Sequence, residues 1–201
     1  MLLDYNNKAE KLTESRKKVS QNIEVMLQAE LSDLNMASAK FKVSFLKEEK
    51  VSKNGKDSIE FLIATNVGQD YKTLTKIASG GEVSRIMLAL KTIFSKVDNI
   101  PILIFDEIDI GVGGETVRKI AGKLKEIGKH AQVICITHSP QIAAKATQQF
   151  YIEKNVVANT TVTTVRELNQ EERVREIGRM LAGENITDTV LSHALELLKE
   201  D

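Results

Sequence analysis

Two adjacent carboxylates, Asp106 and Glu107, directly follow the apolar run of residues 102–105, which Pro101 opens. A short apolar run without alternation is typical of a strand buried on both faces of a parallel sheet. Such sheets bind ligands beyond the carboxyl ends of their strands, where two neighbouring acids are costly unless a cation stabilises them. Mg²⁺ prefers oxygen ligands and usually joins one or two carboxylates to substrate phosphates. The pair is therefore a candidate Mg²⁺ ligand and general base, or else two acids that cap a neighbouring helix.

Two further groups could act with these acids. His138 follows a second apolar run, residues 133–136, so the two strand ends could bring its imidazole near the carboxylates. A lone histidine at this position can equally be structural. The sequence Ser-Gly-Gly-Glu at 79–82 precedes a helical apolar pattern. Glycines there permit close backbone approach, and free N–H groups at a helix start can bind an anion, although serine and glycine are also ordinary helix caps.

The overall composition is that of a soluble globular protein. Of 201 residues, 42% are hydrophobic and 28% are charged, with 28 basic and 28 acidic side chains. This balance favours neither nucleic acid nor a membrane as partner. The single cysteine, Cys135, lies in an apolar run and is expected to be a buried thiol. With no span-length apolar stretch and no signal-peptide core, the sequence predicts a cytoplasmic setting.

Residues 2 to about 36 predict a long helix that opens the chain. They lack Gly and Pro, and an apolar row recurs every seven residues at Tyr5, Leu12, Val19 and Met26, with Ala9 and Ile23 interleaved. The row indicates a partial coiled-coil seam, and the alternative is an amphipathic helix packed on its own domain. Because no N-terminal cap precedes this helix, we expect it to continue upstream.

An antiparallel hairpin is expected next. Two alternating runs carry apolar residues at 41, 43 and 45 and at 59, 61 and 63, and Asn54-Gly55 lies between them. Asn-Gly between alternating runs is a strong hairpin signal. The hairpin should bury one face only.

Helices and buried strands alternate over the next part of the chain. The patterns predict helices at about 82–97, 115–128, 141–146, 170–181 and 187–199, with strands at 102–105 and 133–136 and β-like runs at 150–154 and 161–167. The first of these helices has an apolar stripe that ends at Val97 and should face the core. Strand–helix–strand order with buried strands indicates a parallel sheet in an α/β fold.

The order of the chemical groups resembles the second half of an ABC-type ATPase head, with a signature motif, a Walker B segment, a D-loop and an H-loop. The segments KIASGGEVSRIMLALK, ILIFDEIDIGVGG and ITHSPQIAA resemble the RecN family, bacterial DNA-repair relatives of the SMC proteins. This resemblance covers most of the chain. It implies an α/β fold that forms the C-terminal lobe of an ABC-type ATPase head, with a parallel sheet flanked by helices. Residues 1–36 would be the end of a coiled-coil arm, and residues 37–201 the C-terminal half of the head.

The resemblance also implies ATP and Mg²⁺ as cofactors and assigns a role to each candidate residue. Asp106 would bind Mg²⁺ through water, Glu107 would polarise the attacking water, and His138 would contact the γ-phosphate. The residues expected against the ATP of an opposite protomer are Ser79, Gly80, Gly81, Glu82 and Asp109. Gly113 stands where many ABC proteins have the D-loop aspartate.

A phosphate-binding loop of the form GxxxxGK[ST] is absent from the sequence. The nearest match, Gly122-Lys123, fails because Val117 replaces the first glycine and Leu124 follows the lysine. In the RecN and SMC families that loop lies in the N-terminal half of the head. The resemblance therefore implies three partners: an N-terminal P-loop half, a second copy in a homodimer with ATP sandwiched between the heads, and DNA. This chain alone should bind ATP poorly.

The implied function is ATP hydrolysis in double-strand break repair and recombination, at the nucleoid. One alternative is the nucleotide-binding domain of an ABC transporter, which the hairpin and Glu82 in place of the usual glutamine disfavour. Another is a non-catalytic assembly fragment. DNA contacts have two local candidates, residues 16–18 and the arginines at 173, 175 and 179, and each group could instead be a solvated helix face.

Overall fold

The computed structural model describes residues 1–77, 79–94, 97, 100–157 and 160–200. The helices are α1 (Leu2–Asp33), α2 (Gly80–Phe94), α3 (Gly114–Ile127), α4 (Pro140–Ala144), α5 (Gln170–Ala182) and α6 (Asp188–Lys199). The strands are β1 (Lys40–Ser52), β2 (Gly55–Ala64), β3 (Lys72–Thr73), β4 (Ile102–Phe105), β5 (Gln132–Cys135), β6 (Phe150–Val157) and β7 (Thr160–Glu167). They form three sheets, of which β4–β5 is parallel while β1–β2–β3 and β6–β7 are antiparallel.

The predicted hairpin is confirmed. Strands β1 and β2 pair so that Phe41 lies opposite Ile63 and Val43 opposite Phe61, which puts the two apolar rows on one face. Ser52 pairs with Gly55, and Gly55 has φ +92°, a left-handed conformation that suits glycine. The short strand β3, which the sequence patterns did not predict, adds to the edge of β2.

Helix α1 packs along this sheet with a different face from the predicted seam. Leu27 and Leu31 are fully buried in the core that includes the hairpin, and Tyr5 Oη donates to the turn carbonyl of Gly55 at 3.1 Å. Val19 and Met26, two members of the heptad row, are 53% and 50% exposed. The interleaved row therefore turns toward the sheet, while most of the heptad row turns away from it and is exposed within this chain, so the coiled-coil arm stays a prediction.

The main core lies between the end of α1, the inner face of the hairpin, α2 and α3. Val43, Ile63, Ile86 and Ile120 belong to it and are almost fully buried. A smaller cluster joins α4, α5 and α6 and is formed by Ala143, Ala144, Ile177, Ala194 and Leu197. The three C-terminal helices thus have apolar contacts of their own.

Helix α2 is shorter than its apolar stripe suggested. It ends at Phe94, and Val97 is 74% exposed in a turn, so the predicted core role of Val97 is wrong. Residues 95 and 96 of the predicted helix lie outside the described residues. The stripe is otherwise correct at Ile86 and Leu90, which are buried.

Strands β4 and β5 run parallel, as the sequence predicted, but they are not buried on both faces. Phe105 is buried in the main core, against which the half-buried Leu103 also packs. On the opposite face, Ile102 and Ile104 are 50% and 67% exposed. Ile134 of β5 and Ile136, which follows β5, are also exposed. The prediction of strands buried on both faces is therefore wrong for this chain, because no described element covers the second face.

The C-terminal elements match their predicted positions to within a few residues. The β-like runs pair with each other as β6 and β7, and every residue of β7 is exposed. Asn169 and Glu172 form a capping box at the start of α5, and Thr187 caps α6. Among the described residues, no helix combines the length and apolar character that crossing a bilayer requires.

Candidate functional site

The two parallel strands bring the predicted acids and histidine to one edge of their sheet. Phe105 pairs with Cys135, and the backbone N–H of Ile136 donates to the carbonyl of Phe105 at 2.9 Å. Asp106 and His138 then follow their strands on the same side, as the unalternating runs predicted. The carboxylate of Asp106 and the imidazole of His138 are both exposed at this edge.

Asp109 lies at the centre of the local hydrogen bonding. It is 2% exposed, and its Oδ2 accepts from Thr137 Oγ1 and from the backbone N–H groups of His138 at 3.2 Å and Ser139 at 3.1 Å. His138 Nδ1 is 3.4 Å from the same oxygen, while its side chain is 75% exposed. The sequence-based expectation put Asp109 at the ATP of an opposite protomer. In this chain its side chain turns inward and holds the turn after β5, and the contact with ATP stays a prediction.

Glu107 lies against the start of α2. Its Oε2 is 2.9 Å from the position that a Cβ on Gly80 would occupy, and its carbonyl oxygen is 3.1 Å from the corresponding position on Gly81. The two glycines therefore permit the close approach of Glu107 within this chain, and their approach to a ligand stays a prediction. Glu107 itself has φ +57°, a left-handed conformation that is uncommon for residues other than glycine.

The first turns of α2 hold the backbone that follows β4. Ser84 Oγ donates to the carbonyl of Asp106 at 2.7 Å, and Arg85 Nη1 donates to the carbonyl of Ile110 at 2.9 Å. Arg85 is 7% exposed, and burial lowers the pKa of its guanidinium while the charge of Glu82 opposes that change. These contacts attach the segment 106–110 to the glycine-rich helix start.

Residues 79–82 occupy the entrance to this helix. Ser79 and Gly80 are exposed, Gly81 is buried, and Ser79 Oγ accepts from the backbone N–H of Glu82 at 3.4 Å. Ser79 thus acts as a weak N-terminal cap. The first turn also has free N–H groups that suit an anion.

The electrostatics of the strand ends are dominated by carboxylates. Burial, followed by the negative charges of Asp109 and Asp106, raises the pKa of the Cys135 thiol to about 12. Cys135 is half-buried and packs against the main core, whereas the sequence predicted a buried thiol. A negative field of this kind favours a cation at the edge of the sheet.

The donor set matches a Mg²⁺ ion that is bound mainly by its substrate. In the described part of the chain, no group of three or more His, Cys, Asp or Glu side chains is close enough to hold a metal. Mg²⁺ commonly uses one or two carboxylates and takes its other ligands from phosphates and water. Asp106 at an exposed strand end fits that pattern.

The two local basic groups are partly occupied by contacts within the chain. Arg16 donates to the carbonyl of Asn54 at 2.8 Å and lies 3.5 Å from Asp57. Arg173 donates to the carbonyl of Ala146 at 2.6 Å, and Arg179 makes two hydrogen bonds with Glu176 at 2.8 and 2.6 Å. Arg16 therefore joins α1 to the hairpin, Arg173 joins α5 to the segment after α4, and Arg179 has its contact within α5.

Sequence patterns missed the contributions of Ser84, Arg85 and Thr137. The position of Arg85 could have been noticed in the sequence. It lies four residues after Gly81 and four before Ala89, which puts all three on one side of α2, and that side is buried. A charged residue on an apolar helix face is expected to have a specific partner. Ser84 and Thr137 had no comparable signal.

With this geometry established, comparison with known proteins identifies the family. A profile described as the RecF/RecN/SMC N terminal domain matches residues 4–164. The chain belongs to the RecF/RecN/SMC family. It is 43% identical to the DNA repair protein RecN of Halalkalibacterium halodurans over 202 residues, covering 98% of this chain and 36% of that protein.

A second RecN and one solved structure agree with this assignment. The DNA repair protein RecN of Bacillus subtilis is 47% identical over 150 residues, which cover 75% of this chain and 26% of that protein. The structure of the Smc head domain with a coiled coil and joint from Pyrococcus yayanosii matches with a TM-score of 0.53 at 21% identity, covering 82% of this chain and 29% of that one. The chain therefore has the α/β fold of an SMC-type head. It spans about a third of the length of the RecN proteins that it matches.

Proposed function

We propose that this chain is part of a RecN-like ATPase of DNA repair and supplies the residues that hydrolyse ATP. The observation that supports this most strongly is the convergence of an acid pair, a histidine and a glycine-rich helix start at one sheet edge in a RecF/RecN/SMC family member. Hydrolysis of a phosphoanhydride needs a positioned Mg²⁺, an oriented water and stabilisation of the developing charge. This edge offers a group suited to each task.

The proposed roles follow from chemistry and position. Mg²⁺, held by Asp106 through water, would neutralise charge on the phosphates. Glu107 is the general base that accepts a proton from the attacking water, because a carboxylate next to the metal ligand can reach that water. His138 meets the γ-phosphate with an exposed imidazole at the neighbouring strand end.

Residues 79–82 are proposed to bind the ATP of a second protomer in a homodimer. The N–H groups at the start of α2 favour an anion, and Gly80 and Gly81 leave room for it. Because Glu107 of the same chain lies against these glycines, an incoming phosphate would have to displace or share that contact. ATP binding and the position of the base would thereby be coupled.

The remaining partner within the head is a P-loop half. The sequence contains no GxxxxGK[ST] loop, and the RecN relatives are about three times as long as this chain. We propose that residues 1–36 belong to a coiled-coil arm, that residues 37–201 are the C-terminal half of the head, and that the P-loop half covers the exposed β4–β5 face.

We also propose DNA as a partner and the nucleoid as the location. Support for both comes from the relatives, which are described as DNA repair proteins. The same relatives favour this function over that of a transporter domain.

The test is ATP hydrolysis by this chain alone and after mixing with a separately expressed P-loop half. We expect activity only in the mixture, and Glu107→Gln should lower kcat by about 10²-fold or more while ATP-dependent dimers persist. Glu115→Gln is the matched control, since Glu115 is an exposed glutamate at the start of α3 and should leave kcat unchanged. Unchanged turnover in Glu107→Gln would exclude Glu107 as the base. Strong activity from this chain alone would contradict the split-site proposal.

A further inference from the structure

The turn that presents His138 is held by one buried carboxylate from another part of the chain. Asp109 Oδ2 accepts from Thr137 Oγ1 and from the backbone N–H groups of His138 and Ser139. Thr137 Oγ1 in turn accepts from the N–H of Ser139 at 2.9 Å. Three consecutive residues are thus tied to a side chain 28 to 30 positions earlier in the sequence.

The same carboxylate lies beside the imidazole of His138. An ionised carboxylate only accepts hydrogen bonds and has about four lone-pair positions. Within the described residues, Asp109 Oδ1 is buried without a hydrogen-bond partner, and His138 Nδ1 is 3.4 Å from Oδ2. Because Nδ1 lies this close to a carboxylate oxygen, a hydrogen on Nδ1 would face negative charge, whereas a lone pair there would be repelled by it.

We propose that Asp109 is the positioning residue of His138. Its carboxylate fixes the 137–139 turn and keeps the hydrogen of the imidazole on Nδ1, so that Nε2 is the nitrogen left for a ligand. When the imidazole is charged, both nitrogens donate, and Asp109 balances that charge while Nε2–H faces an anion. The identity of that anion as the γ-phosphate rests on the proposed function, whereas the choice of tautomer does not.

The position of Asp109 also connects His138 to the proposed base. Asp109 is two residues beyond Glu107, and the N–H of Ile110 donates back to the carbonyl of Glu107 at 3.3 Å. Arg85 holds the same turn through the carbonyl of Ile110. A shift of Glu107 would therefore move Asp109 and, through it, the turn that presents His138.

The direct test is ¹⁵N NMR of the imidazole nitrogens in this chain at alkaline pH, where the ring is neutral. The chain has three histidines, and His138→Gln assigns the signals. We expect Nε2 of His138 to resonate as an unprotonated nitrogen and Nδ1 as a protonated one. In Asp109→Ala the pattern should reverse to the Nε2–H tautomer that free histidine favours. A wild-type chain already in the Nε2–H form, or an unchanged pattern in the variant, would overturn the proposal.

Two further variants keep the test decisive. Ser139→Ala removes a hydroxyl of the same turn that donates to Gln141 and not to Asp109, so the wild-type tautomer should persist. If Asp109→Ala does not fold, as judged by circular dichroism, Asp109→Asn keeps the volume and one acceptor but loses the charge. It should give a mixture of tautomers, and an unchanged wild-type pattern there would count against a role for the carboxylate.

A double-mutant cycle in the reconstituted head tests whether Asp109 affects catalysis through His138 or only by stabilising the fold. Asp109→Asn should lower kcat by about tenfold in the wild-type background and have no further effect in His138→Ala, because it acts through the missing imidazole. Equal losses in both backgrounds would mean that Asp109 only supports the fold. If the reconstituted head hydrolyses no ATP at all, the proposed function fails, while the tautomer measurement still decides the role of Asp109.

Discussion

At the scale of single residues, the proposed base has an unusual backbone. Glu107 has φ +57°, and a left-handed conformation costs a residue with a Cβ roughly 1–2 kcal/mol. Its carbonyl lies close to Gly81 and accepts from the N–H of Ile110, so surrounding contacts hold the conformation. Such strain is often found at functional sites, which agrees with a catalytic role for this carboxylate.

Glu107→Gly should therefore raise the free energy of unfolding of the chain. Glycine relieves the left-handed strain, and this gain is larger than the free-energy cost of the extra conformational entropy that glycine loses on folding. The free energy of unfolding should rise by about 0.5 kcal/mol in total. Asp106→Gly is the control, because Asp106 is not among the described residues with positive φ, and it should lower the free energy. Urea denaturation followed by circular dichroism measures both. A loss of stability in Glu107→Gly as large as in the control would argue against strain at this residue.

At the scale of elements, the start of α2 and the segment after β4 form one unit. A Cβ on Gly81 would lie 3.1 Å from the carbonyl oxygen of Glu107 and 3.3 Å from that of Ile110. Arg85 fixes the second of these carbonyls, so the segment has little freedom to move away. The glycine is needed for packing between two elements.

We predict that Gly81→Ala destabilises the chain by about 1 kcal/mol, because two of the three atoms nearest the added Cβ are backbone carbonyl oxygens and the third is the buried Arg85 Nη1. Gly122→Ala provides a matched comparison in α3, where an added Cβ meets nothing within 4 Å. There the usual advantage of alanine over glycine in a helix should stabilise by about 0.5–1 kcal/mol. Thermal unfolding of the two variants measures the contrast. Stabilisation by Gly81→Ala would indicate that the segment after β4 is free to shift.

At the scale of the whole molecule, the parallel strand pair leaves an apolar face uncovered by any described element. Ile102 and Ile104 project from β4 on that face, next to Ile134 of β5. The opposite face, including Phe105, belongs to the main core. A sheet covered on one side only is consistent with a head that is completed by a second polypeptide segment.

Substitutions on this exposed face of β4 should weaken association with the P-loop half with little change in the stability of the chain itself. Ile102→Thr combined with Ile104→Thr keeps β-branched side chains at exposed positions and should change the free energy of unfolding by less than about 1 kcal/mol. The same double variant should lose association with the P-loop half in size-exclusion chromatography. Phe105→Ala, on the covered face, should instead destabilise the chain itself by about 3 kcal/mol or more. Undiminished association of the double variant would remove this face as the docking surface.

Much of the fold could be predicted because its signals are local. The alternating residues around Phe41 and Ile63 depend only on a period of two, and the turn at Gly55 depends on two neighbouring residues. The acid pair at 106–107 and His138 were found because each ends an apolar run. The family resemblance rests on the same short segments.

The sequence could not decide which apolar rows are buried, because burial depends on neighbours far along the chain. The heptad row containing Val19 and Met26 and the interleaved row that packs on the sheet are both compatible with one long helix, and only the position of the hairpin selects between them. The apolar run at Ile102 and Ile104 has the composition of a doubly buried strand, but the covering layer is not among the described elements of this chain.

The amino-acid sequence by itself determined the order and type of most elements, the hairpin and the candidate residues for phosphate chemistry, because these follow from periodicity and from side-chain type. Tertiary structure alone decided that Asp109 turns inward to the 137–139 turn, that Arg85 holds the carbonyl of Ile110, and that Glu107 lies against Gly80 and Gly81. Each of these contacts joins residues about 25 to 30 positions apart. Such pairs meet only when α2, β4 and β5 have packed together, and no local pattern encodes that packing.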